Sequence, residues 1–263
     1  MIRRTLQTIL FIGLGLLTLS PDGRTEATQG TLNLSTIVSR FGNEHLEFSL
    51  YYKGINVAVS SMWMSAKGDG AQISWSIKTR PLSTLLFKID NRYDVLIRGD
   101  GRLVQANKKI EQKNIQDEWQ VVYDWTSLTA RSNHAIDWPV HADCQNVLSM
   151  LYDLRRRRLT EGDSVEYILD VESQIWRAIG RVEKENTADG NSGGLEIVFT
   201  FRPALEIQQR RWKTDLLTNR LARRTSDLVI RLSPPPARLP LLLCFGSKDE
   251  RVEMKLTNSY RAE

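Results

Sequence analysis

The chain has 263 residues, of which 41% are hydrophobic and 25% charged, and its formal net charge is +5. That composition supplies enough apolar material for one large domain or two small ones, and it excludes a disordered or fibrous chain. The charge excess is mild and well mixed, far from the basic stripe that nucleic-acid binding requires, so no nucleic-acid partner is expected.

The chain begins "MIRRTLQTILFIGLGLLTLSPDGRTEATQG". Two arginines precede an apolar run from Ile9 to Leu19, and small and polar residues follow as far as Ala27. This is the order of a secretory signal peptide over residues 1–27, with Thr25 and Ala27 at the positions read for cleavage. The run is shorter than the roughly 20 apolar residues of a membrane span and is broken by Gly13 and Gly15. No permanent span is expected after cleavage. No cysteine ends the run, which excludes lipidation at that site. Cleavage would remove three arginines, one aspartate and one glutamate and lower the net charge from +5 to +4. The expectation is a periplasmic, exported protein whose residues 28–263 form a single β-rich domain.

Period-two alternation then recurs along the chain. In "LEFSLYYKG" the residues Leu46, Phe48, Leu50 and Tyr52 share a face, and in "AQISWSIKT" Ile73, Trp75 and Ile77 do so. "DEWQVVYDW" places Trp119, Val121, Tyr123 and Trp125 on one side, and "SVEYILDVE" does the same with Val165, Tyr167, Leu169 and Val171. "LEIVFTF", "SDLVIRL", "RLPLLLCF" and "RVEMKLTNSY" complete the predicted strands. Turn sequences separate them: "KGDG" at 67–70, "RGDG" at 98–101, "TEGD" at 160–163 and "ADGNSGG" at 188–194. Many strands joined by short turns predict a mainly β fold, a single curled antiparallel sheet or half-barrel.

One segment reads as helix, over about 146–158 in "NVLSMLYDLRRRRLTEGD". Asn146 suits the N-cap, and Val147, Leu151 and Leu154 form a stripe that would pack on the sheet. Successive helical residues lie about 100° apart, so Arg155 to Arg158 fan around the helix and cannot grip one phosphate backbone together. Cations also suit a helix C-terminus. The run is therefore read as structural, with replacement of Arg157 expected to cost little. Contact with anionic lipid or polysaccharide is the functional alternative.

Several short motifs, in order, resemble a bacterial exported family known as domain of unknown function 3108. They are "YYKGI" at Tyr52 to Ile55, "RPLSTLLFKIDNRYD" with Pro81, Asp90 and Tyr93, "NVLSMLYDLR" with "LTEGD", and "ARLPLLLCFGS" followed by "VEMKL". Where the family has an aspartate at the helix start this chain has Asn146; Ala58 stands for a usual glycine, and "SPPPA" precedes "RLP". The resemblance implies an exported, mainly β protein without an established activity, similar in outline to lipoprotein-carrier sheets, an analogy of fold alone.

Catalytic patterns fail on inspection of the residues. "GNSGG" at 190–194 lacks the aspartate before Ser192 and a suitable histidine, and no nucleophile elbow surrounds any serine. His134, His141, Asp143 and Cys144 cluster without the tight pair spacing of zinc ligands, and Asp90 and Asp94 form no argued acid–base pair. No phosphate-cradling or dinucleotide motif is present, so no cofactor, no metal and no enzymatic activity are expected. The only two cysteines, Cys144 and Cys244, are expected to form a disulfide in an oxidising compartment. Large aromatics on predicted strands are usually core. A curled sheet could also enclose an apolar ligand, with Trp75, Trp119, Tyr123 and Trp125 as the candidate lining. The function expected is binding of an envelope component, a lipid or surface polysaccharide. The alternatives are a structural or partner-binding envelope module with a filled core, or an enzyme with an unrecognised site.

Overall fold

The computed structural model describes residues 39–81, 88–112, 115–171, 173–184, 194–205, 227–246 and 251–261. Residues 1–27, expected from sequence as a signal peptide cleaved after Ala27, the predicted turn residues 188–193 and Trp212, one further large aromatic of the sequence, lie outside the described residues.

Among the described residues fifteen strands form one sheet. The first half of the chain supplies β1 (Glu44–Tyr52), β2 (Ile55–Lys67), β3 (Gly70–Thr79), β4 (Asp90–Ile97), β5 (Leu103–Gln112), β6 (Ile115–Asp124), β7 (Thr129–Ser132) and β8 (Asp137–Pro139). The second half supplies β9 (Cys144–Gln145), β10 (Ser164–Val171), β11 (Gln174–Lys184), β12 (Leu195–Pro203), β13 (Asp227–Leu232), β14 (Pro240–Gly246) and β15 (Val252–Arg261). Helix α1 (Val147–Arg156) follows β9. In space the strands run from β8 through β1, then β15 back through β9. The sheet is thus two meanders joined where β1 pairs with β15, and every neighbour is antiparallel except β9, which runs parallel to β10.

That order forces the sheet to curl. Strands β8 and β9 are its opposite edges, yet only residues 140–143 separate them in sequence. Laid flat, fifteen strands would span roughly 65–70 Å, whereas so short a link reaches less than about 20 Å. The edges must meet. They do so through side chains instead of a closed ladder: Tyr123 Oη and Trp138 Nε1 both donate to Asp170 Oδ2, each at 3.0 Å. Tyr123 and Trp138 lie on the face that carries Val121 and Ala130 inward, whereas Asp170 lies on the face of β10 opposite to Leu169 and Val171. One edge therefore rolls over the other, which also explains why Ile168 and Cys144, on that same opposite face, are buried.

Helix α1 sits inside the roll. Asn146 caps it: Ser149 N donates to Asn146 Oδ1 at 2.8 Å and Asn146 N donates to Ser149 Oγ at 3.1 Å. Every residue from Leu148 to Arg155 is buried, so this helix is enclosed on all sides and does not rest on the sheet by one stripe. Val147, expected in that stripe, is only half-buried.

The four arginines separate by environment. Arg155 is fully buried and grips Glu44 of β1 with two hydrogen bonds of 2.6 and 2.7 Å, while its Nε donates to the Arg238 carbonyl at 2.9 Å. Phe41 and Tyr152 flank its guanidinium, 4.3 and 5.1 Å from the ring centroids. Arg156 and Arg157 both bond the buried Asp153, which also accepts from Tyr167 Oη at 2.9 Å. The expectation that Arg157 is dispensable is corrected here, because its side chain is only 14% exposed and lies 5.1 Å over the Tyr167 ring.

The expected disulfide is also corrected: Cys144 and Cys244 are both free thiols, both buried. Cys244 lies between Val229 and Glu253 on the face of β14 that points away from Leu243 and Phe245. Five strand spacings along the sheet separate β14 from β9, roughly 24 Å, where a disulfide needs Cα atoms within about 7 Å. Burial pushes the thiol of Cys144 well up, and that of Cys244 up to about 11.

Candidate functional site

The curled sheet and α1 leave an apolar cavity of about 140 Å³. Cross-strand register builds its walls. Met62, Trp75, Tyr93, Lys108 and Trp119 stand opposite one another across β2 to β6, and Val95, Ala106 and Val121 form the adjacent row. Ile230, Leu243 and Met254 line up across β13 to β15 on the other side, and Leu148 and Leu151 of α1 complete the lining of a cavity that stays partly open. Period-two alternation puts each of these side chains on the inner face, so the cavity follows directly from strand geometry. An apolar cavity of about 150 Å³ holds one benzene.

The aromatic wall is held by fixed partners. Trp75 stacks on Tyr93 with centroids 4.8 Å apart, and its Nε1 donates to Ser60 Oγ at 2.6 Å. Tyr93 Oη accepts from Asn91 Nδ2 at 3.0 Å. The ammonium of Lys108 lies 5.7 Å over the Tyr93 ring. Beside it the half-buried Trp119 tilts against His134 at 4.6 Å, and His134 Nε2 is 3.3 Å from Asp117. At the seam, burial first and then the charge of Asp170 push the Tyr123 phenol well up, so it remains a hydrogen-bond donor.

Of the lining expected from sequence, Trp75, Trp119 and Tyr123 border the cavity, whereas Trp125 does not. Strand β6 ends at Asp124, and the turn carries Trp125 aside to donate from Nε1 to the Leu103 carbonyl at 2.6 Å. It stacks beyond Tyr123 at 6.1 Å, with Arg102 against it. Sequence reasoning missed Tyr93 and Trp138. For Tyr93 a signal was present, since Asn91, Tyr93, Val95 and Ile97 alternate in "DNRYDVLI". Strand β8 has three residues and offered none.

The other titratable candidates stay apart from the cavity. His141 and Asp143 meet at 3.6 Å on an exposed turn, and Asp90 pairs with Lys78 at 3.5 Å. Asp94 bonds Arg92, Ser74 and Gln72; burial opposes its charge, but these bonds prevail and hold its carboxyl below the usual range. His45 stands between Ser61 and Tyr260 on the outer face, hydrogen-bonded to both, with Trp63 beside its ring. Among the described residues no group of three or more His, Cys, Asp or Glu is placed to hold a metal ion. No helix among them is long and apolar enough to cross a membrane.

No family model and no curated protein match the chain. A solved structure is similar in fold: the crystal structure of a beta-barrel-like protein of domain of unknown function DUF1849 from Brucella abortus. The TM-score is 0.58 at 7% sequence identity, over 85% of this chain and 99% of that one. The two share a barrel-like β architecture, and at that identity the likeness extends to the fold alone.

Proposed function

We propose that the protein is an exported, periplasmic binding protein without catalytic activity, and that the cavity inside its rolled sheet receives a small apolar part of an envelope component. The observation that carries this reading is the cavity of about 140 Å³ left between an aromatic wall and α1. Interiors are normally packed to crystal-like density, and empty apolar space forgoes dispersion contacts. The size fits a single ring or a short chain. It is too small for a whole acyl chain, and the apolar wall favours a lipid-like group over a polysaccharide. The signal-like residues 1–27 and the motifs resembling domain of unknown function 3108 support export.

The test is mass spectrometry of solvent extracts from protein purified natively out of its own envelope, with melting curves in saturating benzene or indole. A co-purifying small apolar molecule and a raised melting temperature are expected, both lost when Leu151→Trp fills the space. No extractable molecule and no thermal shift would turn the reading to the alternative, a structural envelope module. Export is checked separately by N-terminal sequencing, which should begin at Thr28.

A further inference from the structure

We propose that the protein carries a second binding site, for a phosphate group, where Arg238 and Arg40 come together beside the exposed turn at 234–237. The proposal goes beyond the cavity reading and does not depend on it.

Arg238 follows that turn and is only 8% exposed. Its Nη2 donates to the Leu159 carbonyl at 3.2 Å, while its Nη1 is buried with no hydrogen-bond partner. Among the described residues no carboxylate pairs with it. The guanidinium is thus a buried cation met by a neutral carbonyl on one side and by nothing on the other. Burial first, and then the charge of Arg40, hold its pKa below that of an ordinary arginine. A buried lysine can relieve such a position by losing its proton, but an arginine keeps its charge in a protein. An unpaired buried charge and an idle buried donor are both costly, and one anion relieves both.

The surroundings add positive charge instead of removing it. Arg40 Nη2 donates to the Pro236 carbonyl at 2.5 Å, so this half-buried side chain leans on the turn that leads into Arg238. Arg40 and Arg155 both approach the Phe41 ring, at 5.2 and 4.3 Å from its centroid. Arg261 Nη2 donates to the Arg40 carbonyl at 2.5 Å. Among the described residues Glu44 is the one carboxylate bonded to any of these four arginines, and Arg155 takes both of its oxygens. Arg238, Arg40 and Arg261 are left with neutral carbonyls. Water reaches Arg261, which is exposed, but Arg238 is shut away from it.

A phosphate suits this arrangement because guanidinium forks match its oxygens, and it has enough of them to meet Arg238 Nη1 and Arg40 at once. Since Nη1 is screened from solvent, entry of the anion requires Arg40 or the exposed turn to shift, and the hydrogen bond from Arg40 to Pro236 is what ties the two together.

The test has two arms. Inorganic phosphate is titrated calorimetrically into the protein against sodium chloride of equal ionic strength, and vesicles of phosphatidylcholine, with and without phosphatidic acid, are floated with it. Saturable binding of inorganic phosphate is expected, weakened about tenfold by Arg238→Gln and by Arg40→Gln, each of which removes a charge-assisted contact. Arg202→Gln, at an exposed arginine of β12 four strands from β1, should change it by less than about twofold. Flotation that needs phosphatidic acid and is lost in the first two variants assigns the phosphate to a lipid headgroup, and saturable binding without flotation assigns it to a soluble molecule. No binding beyond that of chloride, with no flotation, overturns the site. Equal weakening by all three substitutions reveals general attraction to a basic surface and overturns it as well. If Arg238→Gln fails to fold, as melting curves show, Arg40→Gln carries the test alone, and unchanged binding in that variant overturns the proposal.

Discussion

The two ends of α1 face one interior and meet opposite surroundings. Leu148 and Leu151 border empty apolar space, whereas Arg155, one turn further on, is fully buried in a network of hydrogen bonds. At the polar end the donors of Arg155 reach the Glu44 carboxylate and the Arg238 carbonyl, and two aromatic rings fill the space around it. At the apolar end there are no such directional demands, and space remains. The contrast teaches where a rolled sheet can leave a cavity: charge pairing leaves no tolerance for a gap, because an unpaired buried ion is costly, while an apolar wall tolerates one at the smaller cost of lost contacts.

The comparison can be broken most sharply at the polar end. Arg155→Met leaves Glu44 buried without its partner and should destabilise the fold by about 3–5 kcal/mol in denaturant melts. The double variant Arg155→Met with Glu44→Gln should recover much of that loss. Arg158→Ala, at the exposed end of the same run, should stay within about 0.5 kcal/mol.

At the apolar end, Leu151→Ala should cost roughly 2–5 kcal/mol as a large-to-small change in an enclosed position. It should also enlarge the cavity and admit bigger rings, read as a naphthalene-induced rise in melting temperature that the wild type lacks. If stability falls and no larger ring binds, the walls collapse into the space.

The seam between the edges is intermediate. Asp170→Asn keeps the shape but weakens the acceptor for Tyr123 and Trp138, and should cost about 1–3 kcal/mol. Hydrogen exchange should then quicken at β8 and β9 before it does at β1 and β15.

A thiol on the outer side of β14 adds an effect that only alkaline pH reveals. Cys244 has its folded value raised to about 11, above the ordinary 9, so the folded state holds its proton more tightly. Stability from this group is complete below pH 9 and is lost as pH rises toward 11. Cys244→Ala should flatten that part of the stability profile. Thiol counting should find two reactive groups on denaturation without reductant and almost none at pH 8 in the native protein.

Much of the fold was legible in local pattern. Alternation in "LEFSLYYKG", "AQISWSIKT" and "SVEYILDVE" fixed β1, β3 and β10, because a strand with one buried face must repeat every two residues. Strand β2 escaped since Ile55, Val59 and Trp63 are exposed on its outer face and blur the alternation, and β5 escaped because "LVQANKKIEQ" is too polar to read. The helix and its cap at Asn146 were legible for the same local reason, that capping and helical period involve neighbours in sequence.

What the sequence by itself determined is therefore the mainly β class, the helix segment after Asn146 and three of the aromatics that border the cavity. Only the tertiary structure decided which arginine is buried, since Glu44 lies 111 residues from Arg155 and no spacing rule connects them. It decided the fate of the cysteines too: both are legible as residues, but their separation depends on a strand order that places β9 and β14 far apart in the sheet. The cavity belongs to the same class, because empty space is a property of how rows of side chains from both meanders meet around α1. Local sequence sets which face each side chain takes, and long-range topology alone sets what that face meets.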